Sequence, residues 1–214
     1  MRELSGYLSR HNGQTAVIVG NGPSLNDVPV WWLNKQFTFG SNWCFLHDRW
    51  TPDYYVAVDP SVVRLDYFDM VNEMECVKFI GDKITTRYGD AVKNAVWINT
   101  DGSYGNPGFC LNPELTDFWE GWSVTFVALN LAYLMGFTTA LLVGVDHRYE
   151  EGENNHFHPD YEKGTVWKTH DMTRALDAYA LAKRAYENAD RRIINLTPES
   201  ALPTFTSGRL EDWL

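Results

Sequence analysis

Along this chain, short runs of β-branched and aromatic residues alternate with longer stretches of mixed polarity. Thr15 to Val19 is such a run, and it stops at a glycine-rich turn, as a buried strand does. Phe37 to Ser41, Tyr54 to Val58, Val77 to Ile80, Ala95 to Asn99, Ala140 to Val143 and Arg192 to Asn195 repeat the pattern. Ser123 to Met135 has helical character: Ser123 suits an N-cap, and Gly136 suits the left-handed residue that ends a helix. A second helix is predicted from about Met172 to Asn188, rich in Ala, Leu, Lys and Arg. Strands alternating with helices predict an α/β chain. The expectation is one Rossmann-like domain over residues 1–214, its mainly parallel sheet covered by helices on both faces. Two irregular stretches, Thr100 to Gly121 and Asp146 to Thr169, are longer than ordinary connections. Loops of that length serve as lids or binding loops, so a lid over the carboxyl ends of the strands is expected at about 146–170.

The uncharged stretch Val124 to Val145 has the length of a membrane span, but Asn130 interrupts it and Gly136, Thr138 and Thr139 break its middle. Helix–glycine–strand accounts for the same residues, so an integral membrane protein is not expected. A formal charge of −10 repels nucleic acid and anionic lipid, which excludes both as main partners but allows a local pocket for one phosphate. Cys44, Cys76 and Cys110 are odd in number and widely spaced, which predicts reduced thiols rather than a disulfide framework or zinc knuckle. The N-terminus has no continuous apolar core of the signal-peptide kind, and with the thiols it points to the cytoplasm. An oligomer is compatible with all of this.

Candidate chemistry gathers where predicted strands end. Val17-Ile18-Val19 runs into Gly20-Asn21-Gly22-Pro23-Ser24-Leu25. A strand entering Gly-x-Gly is where open α/β sheets bind nucleotides, although Leu25 replaces the third glycine of the dinucleotide fingerprint and no Gly-Lys-Ser/Thr follows. Gly20 and Gly22 permit close backbone approach, and Asn21 offers a donor and an acceptor to a base or ribose. A plain structural turn also explains the glycines. Asn42 and Asp59-Pro60-Ser61 follow the next two strands and converge on the same rim, though each also suits a cap. Leu141-Leu142-Val143-Gly144-Val145 then delivers Asp146, His147, Arg148 and Tyr149 there. Arg148 and Tyr149 suit a leaving phosphate, and a strand-end salt bridge is the plainer alternative. His156-Phe157-His158, near Asp160, lacks a third ligand at diagnostic spacing and reads as a lid pair without metal. His170, ahead of the second helix, suits a general base.

In this order, from Thr15 to about Leu202, the motifs resemble the bacterial single-domain sialyltransferases that use CMP-sialic acid. They also resemble the related 6-hydroxymethylpterin diphosphokinase MptE-like proteins and flagellin-glycosylation accessory proteins. Gly20-Asn21-Gly22-Pro23-Ser24-Leu25 matches the first family motif residue for residue, and Asn42 falls at its second nucleotide-binding asparagine. Gly121 to Gly136 resembles the central helix with its Ser/Gly start, which brings in Ser123. Gly144 to Tyr149 is similar to the family's strand-end Gly-Ile-Asp segment, and His170 sits where the sialyltransferases carry their catalytic histidine. Two positions depart from the pattern. Asp59-Pro60-Ser61 stands where asparagine-proline-serine is expected, and a carboxylate there repels one on the donor. Arg148 holds the place of the leaving-phosphate tyrosine, which is displaced by one residue to Tyr149.

The resemblance implies nucleotide-dependent group transfer, first of all inverting glycosyl transfer from a CMP-sugar-like donor to a hydroxyl acceptor, glycan or pterin-like. His170 would be the base, and Arg148 and Tyr149 would steady the phosphate. Gly20, Asn21, Gly22, Ser24, Asn42, Asp59, Ser123 and Asp146 would bind nucleotide or substrate. It implies no metal and no resident cofactor. The enzymatic alternative is pyrophosphoryl transfer from ATP, with magnesium held by Asp59 and Asp146. An inactive nucleotide-binding accessory module is the alternative from another class.

Overall fold

The computed structural model describes residues 3–64, 66–103, 107–163 and 172–214. Among them, eight strands form one wholly parallel sheet. In chain order these are β1 (Thr15–Val19), β2 (Phe37–Ser41), β3 (Tyr54–Ala57), β4 (Val77–Gly81), β5 (Ala95–Ile98), then β8 (Thr139–Val143), β9 (Arg192–Asn195) and β10 (Thr206–Ser207). The intervening β6 (Thr100–Asp101) and β7 (Phe118–Trp119) pair only with each other. The helices are α1 (Val30–Leu33), α2 (Tyr67–Glu73), α3 (Asp82–Tyr88), α4 (Val124–Leu134) and α5 (Met172–Glu187).

The spatial order is β10-β9-β8-β1-β2-β3-β4-β5. The chain steps outward from β1 to β5, then returns to lay β8 on the other side of β1. The connection therefore reverses direction between β1 and β8, and at such a switch point the loops part and leave a crevice beyond the strand ends.

Apolar residues cover both faces of the strands, as a doubly covered parallel sheet demands. Ala16, Ile18, Phe39, Val56, Phe79, Ala140 and Leu142 pack under α4 and α5, against Phe126, Leu129, Ala178 and Tyr186. The alternate positions Val17, Val19, Tyr55, Ala57, Ile80, Leu141 and Val143 meet Trp32, Leu33, Tyr67 and Val71, and also Phe157 and Tyr161 of the loop after β8. That loop is thus anchored by aromatic side chains to the second face of the sheet.

The uncharged stretch resolves into α4, Gly136 at φ 93° and β8. No helix among the described residues is long and apolar enough to cross a membrane. Asn130 is buried because it fastens the preceding loop: its amide accepts from the Cys110 N–H at 2.9 Å and donates to the Cys110 carbonyl at 2.7 Å. Three details correct the sequence-based expectations. Ser123 stands at the N-cap of α4 without capping it, because its hydroxyl bonds the Tyr179 hydroxyl at 2.8 Å. The stretch from Thr100 to Gly121 is not wholly irregular, since it holds β6 and β7. The edge strand β10 was not anticipated, being only two residues long. The three cysteines are free, and Cys44 and Cys110 are buried.

Candidate functional site

The crevice at the switch point is a cavity of about 580 Å³, within the range of small-molecule sites. Its floor is a close crossing of two backbones. Gly20 follows β1 and Gly144 follows β8. A Cβ on Gly20 would lie 2.3 Å from the Gly144 carbonyl oxygen, and one on Gly144 would lie 2.6 Å from that of Gly20. Gly144 also has φ 67°, where a side chain is strained whatever the space. At Gly22 the missing side chain makes room for Asp146, whose Oδ2 would lie 2.0 Å from a Cβ. The near approach these glycines permit is therefore to the β8 strand end, whereas the sequence suggested room for a ligand.

Asn21 sits between these glycines on the cavity wall. Its Nδ2 donates to the Ser41 carbonyl and hydroxyl, both at 3.2 Å, tying β1 to β2. Its Oδ1 is buried with no hydrogen-bond partner among the described residues. An acceptor in that state has lost its hydration without compensation from the described residues, which marks it as a place for a further donor. Asn42, after β2, takes φ 51°; its carbonyl accepts from the Tyr55 hydroxyl at 2.7 Å, and its side chain bonds the Tyr161 hydroxyl. Asp59 lines the cavity, exposed, and its Oδ1 accepts from the Ser61 N–H at 2.8 Å, so it caps the turn it opens.

From the β8 side come Asp146, His147, Arg148 and Tyr149, all lining the cavity. Asp146 is held by Ser24, from the hydroxyl at 2.8 Å and the N–H at 3.3 Å. Ser24 itself is not on the cavity wall: among the proposed ligand contacts it acts one residue back, through Asp146. Arg148 reaches the Glu199 carbonyl at 3.2 Å. Burial, with the charges of Glu162 and Asp146 nearby, pushes the Tyr149 hydroxyl up to about 12. It stays protonated at neutral pH and can donate to an anionic oxygen. His147 adopts φ 51°, and burial lowers its imidazole below 6.5.

The loop from residue 146 to 163 forms the third wall. His156 is buried with its Nδ1 2.7 Å from Glu162 Oε1, and its ring stacks on Tyr161 at 3.9 Å. Burial raises the Tyr161 hydroxyl far above its ordinary value. The loop is fastened from below, since Phe157 N–H donates to the Asn21 carbonyl at 2.9 Å, and the Asn26 amide to the Phe157 carbonyl at 2.9 Å. Arg64, stacked 3.6 Å over Trp43, donates to the carbonyls of Tyr161 and Lys163. His158 turns away to accept from the Asp160 N–H at 3.1 Å, so the two lid histidines do not converge. Ser123 lines the cavity beside Trp122, half-exposed at φ 61° and 4.8 Å from the guanidinium of Arg174.

The expected residues Gly20, Asn21, Gly22, Asn42, Asp59, Ser123, Asp146, Arg148 and Tyr149 thus share one cavity. His170 lies outside the described residues. His147 had been placed at the rim and His156 in the lid without a role in binding or catalysis, and Tyr161 and Arg174 had been given no part at all. His147 had a signal, adjacency to Asp146 at a strand end; Tyr161 and Arg174 had none, because only folding brings them here.

Fold and cavity together define a Rossmann-like α/β protein with its crevice at the β1/β8 switch point. The chain belongs to the 6-hydroxymethylpterin diphosphokinase MptE-like family, whose model matches residues 2–152. No curated protein matches the sequence. Among solved structures, the MAf glycosyltransferase from Magnetospirillum magneticum AMB-1 is similar, with a TM-score of 0.60 and 14% identity over 96% of this chain. This chain spans 37% of that protein's length. The sialyltransferase Cst-II in complex with CMP gives a TM-score of 0.55 at 15% identity, over 90% of this chain and 85% of that one. CstII from Campylobacter jejuni in complex with the substrate analogue CMP-3FNeuAc gives 0.53 at 14% identity, over 91% and 85%. At such identities the likeness is one of fold.

Proposed function

We propose that the protein is a transferase that binds a nucleotide-activated donor in the switch-point cavity, and that the reaction is glycosyl transfer from a CMP-sugar-like donor to a hydroxyl acceptor. The buried Oδ1 of Asn21, without a hydrogen-bond partner among the described residues, carries this reading. It calls for a ligand N–H or O–H, which a nucleobase amino group or a ribose hydroxyl supplies. Asn42 flanks it on the β2 side. Tyr149, protonated, and Arg148, always charged, face the cavity from the β8 side and suit the negative charge that develops on a departing phosphate. The solved sialyltransferases with CMP and a CMP-sugar analogue share the fold, which supports the choice of donor class. The resemblance puts the base at His170.

The family match favours a second reading, pyrophosphoryl transfer from ATP. Magnesium in such a site takes one or two carboxylates together with phosphate oxygens. Asp59 and Asp146 are the carboxylates at the strand ends that fit that requirement, although both oxygens of Asp146 already accept from Ser24. The metal would offset charge on the transferring group. Calorimetric titration with CMP, UDP, GDP and ATP, each with Mg²⁺ and with EDTA, separates the readings on wild type and Asp59→Asn. Glycosyl transfer predicts CMP binding that is indifferent to EDTA and unharmed in Asp59→Asn. ATP binding that collapses in EDTA and in Asp59→Asn would replace it by pyrophosphoryl transfer. CMP binding with no turnover of any CMP-sugar would leave an accessory module.

A further inference from the structure

We infer that Trp122, with the guanidinium of Arg174 over its ring, forms the acceptor subsite of the cavity, and that the acceptor it takes is a saccharide. The inference rests on the transfer reading above and names the second substrate of the same site.

The backbone ahead of α4 is built to hold this ring out of the core. The Ser123 N–H donates to the Glu120 carbonyl at 3.1 Å, and the two residues between them, Gly121 and Trp122, stand at φ 57° and 61°. That is the pattern of a type I′ turn, whose central residues are both left-handed and are ordinarily Gly, Asn or Asp. Gly121 meets the demand and is fixed by packing, since a Cβ there would lie 2.6 Å from the Phe126 ring and 2.7 Å from the Ala178 Cβ. Trp122 does not meet it, because a bulky side chain at positive φ is strained. The ring is 47% exposed on the cavity wall, whereas Trp119, three residues earlier, is buried. A strained backbone that leaves a large apolar ring in water is unfavourable on both counts, and such breaches of local rules belong to functional positions.

The groups around the ring select the ligand. Arg174, in the first turn of α5, stands 4.8 Å from the ring centroid and takes one face of the indole. A sugar needs only one aromatic face: its C–H bonds pack on the ring while its hydroxyls turn to polar groups. Each hydroxyl both donates and accepts, so it calls for partners of both kinds. Arg174 supplies donors. Glu120 supplies an acceptor on the same wall, because the Lys83 ammonium and the Thr100 hydroxyl, both at 2.8 Å, fall on its Oε1 and leave Oε2.

The place of this shelf suits the second substrate. Asn21 and Asn42 follow β1 and β2, and Arg148 and Tyr149 follow β8, whereas Trp122 and Arg174 stand at the starts of α4 and α5. In the transfer reading the base is His170, four residues ahead of Arg174 in the chain. An acceptor hydroxyl has to come within hydrogen-bond reach of the base, so the start of α5 is the acceptor's side.

Fluorine NMR on the full chain labelled with 5-fluorotryptophan tests the inference, with the Trp122 signal assigned by Trp122→Asn. The probes are the methyl glycosides of galactose, glucose and N-acetylglucosamine and, in parallel, 6-hydroxymethylpterin, each with and without saturating CMP. At least one glycoside should shift the Trp122 signal. In Trp122→Asn, affinity for that glycoside should fall by about tenfold or more, while CMP affinity changes by less than about twofold. Asparagine suits the left-handed turn, so this variant should melt no lower than wild type. Trp122→Phe, which keeps a ring, should retain part of the glycoside affinity. A Trp122 signal unmoved by every glycoside would overturn the inference, and so would one moved by the pterin alone. Equally contrary would be a Trp122→Asn protein that melts several degrees lower and still binds the glycoside, since the indole would then serve packing. A wild type that binds no CMP would sink the transfer reading, and the glycoside shifts recorded without CMP tell that failure from the failure of the subsite.

Discussion

The two ends of the sheet carry similar residue types but treat their polar atoms differently. At the amino ends, His11 is buried with Nδ1 2.6 Å from Gln14 Oε1 and Nε2 2.6 Å from the Tyr54 hydroxyl, and its ring stacks on Phe137 at 4.4 Å. Asp53 accepts from the Thr38 N–H and hydroxyl, and buried Lys78 donates to the Met74 carbonyl at 2.8 Å. These groups satisfy one another. At the carboxyl ends, Asn21 keeps a buried acceptor without a partner among the described residues, and Asn42, Trp122 and His147 all hold positive φ. Positive φ occurs at the amino ends as well, at Asn94 before β5 and Asp190 before β9, so what sets the carboxyl end apart is the unmatched Asn21 acceptor rather than backbone strain. A histidine in a fold is likewise not a signal by itself, since at His11 both nitrogens are engaged within the core.

The comparison breaks most visibly at the glycine crossing. Gly20→Val should destabilise the protein by about 3 kcal/mol, roughly 10 °C in Tm, because the new Cβ meets the Gly144 carbonyl rather than a flexible side chain. Calorimetric melting measures it, and a Tm within a degree of wild type would show that the crossing relaxes freely. His11→Ala should come next. It removes two hydrogen bonds and a stacked ring from the amino-end core and should cost about 2–3 kcal/mol, with nucleotide affinity unchanged in titration of the folded protein.

Asn21→Ala should show the opposite profile. Tm should change little, since the side chain already carries an unmatched atom, whereas CMP affinity should fall by about 10-fold or more. Smallest of all should be Ser24→Ala, which removes the 2.8 Å bond to Asp146 at a cost of about 1 kcal/mol. Any loss of CMP affinity should then be matched or exceeded in Asp146→Asn, and a larger loss in Ser24→Ala than in Asp146→Asn would put Ser24 on the ligand.

Much of this architecture was legible in the sequence because it rests on local pattern. The strands from Thr15, Phe37, Tyr54, Val77, Ala95, Ala140 and Arg192 are buried on both faces and read as continuous apolar runs, and the parallel sheet follows from their alternation with helices. The polar strand ends were legible for the same reason. What escaped was set by tertiary contact. The use of Gly22 is fixed by Asp146, more than a hundred residues away. Ser123 gives up its cap for Tyr179, which sits on another helix. His156 looked like half of a lid pair with His158, but Glu162 and Tyr161 claim it. Two-residue strands such as β10 have too few positions to show a period at all.

The central claim is that nucleotide binds at the carboxyl ends of β1, β2 and β8 through Asn21. It is tested most directly by calorimetric titration of CMP into wild type, Asn21→Ala and His11→Ala at one temperature below all three melting points. The account predicts that wild type and His11→Ala bind with the same affinity, and that Asn21→Ala binds at least about tenfold more weakly. Equal affinity in wild type and Asn21→Ala, with binding lost in His11→Ala, would put the nucleotide at the wrong end of the sheet and contradict it.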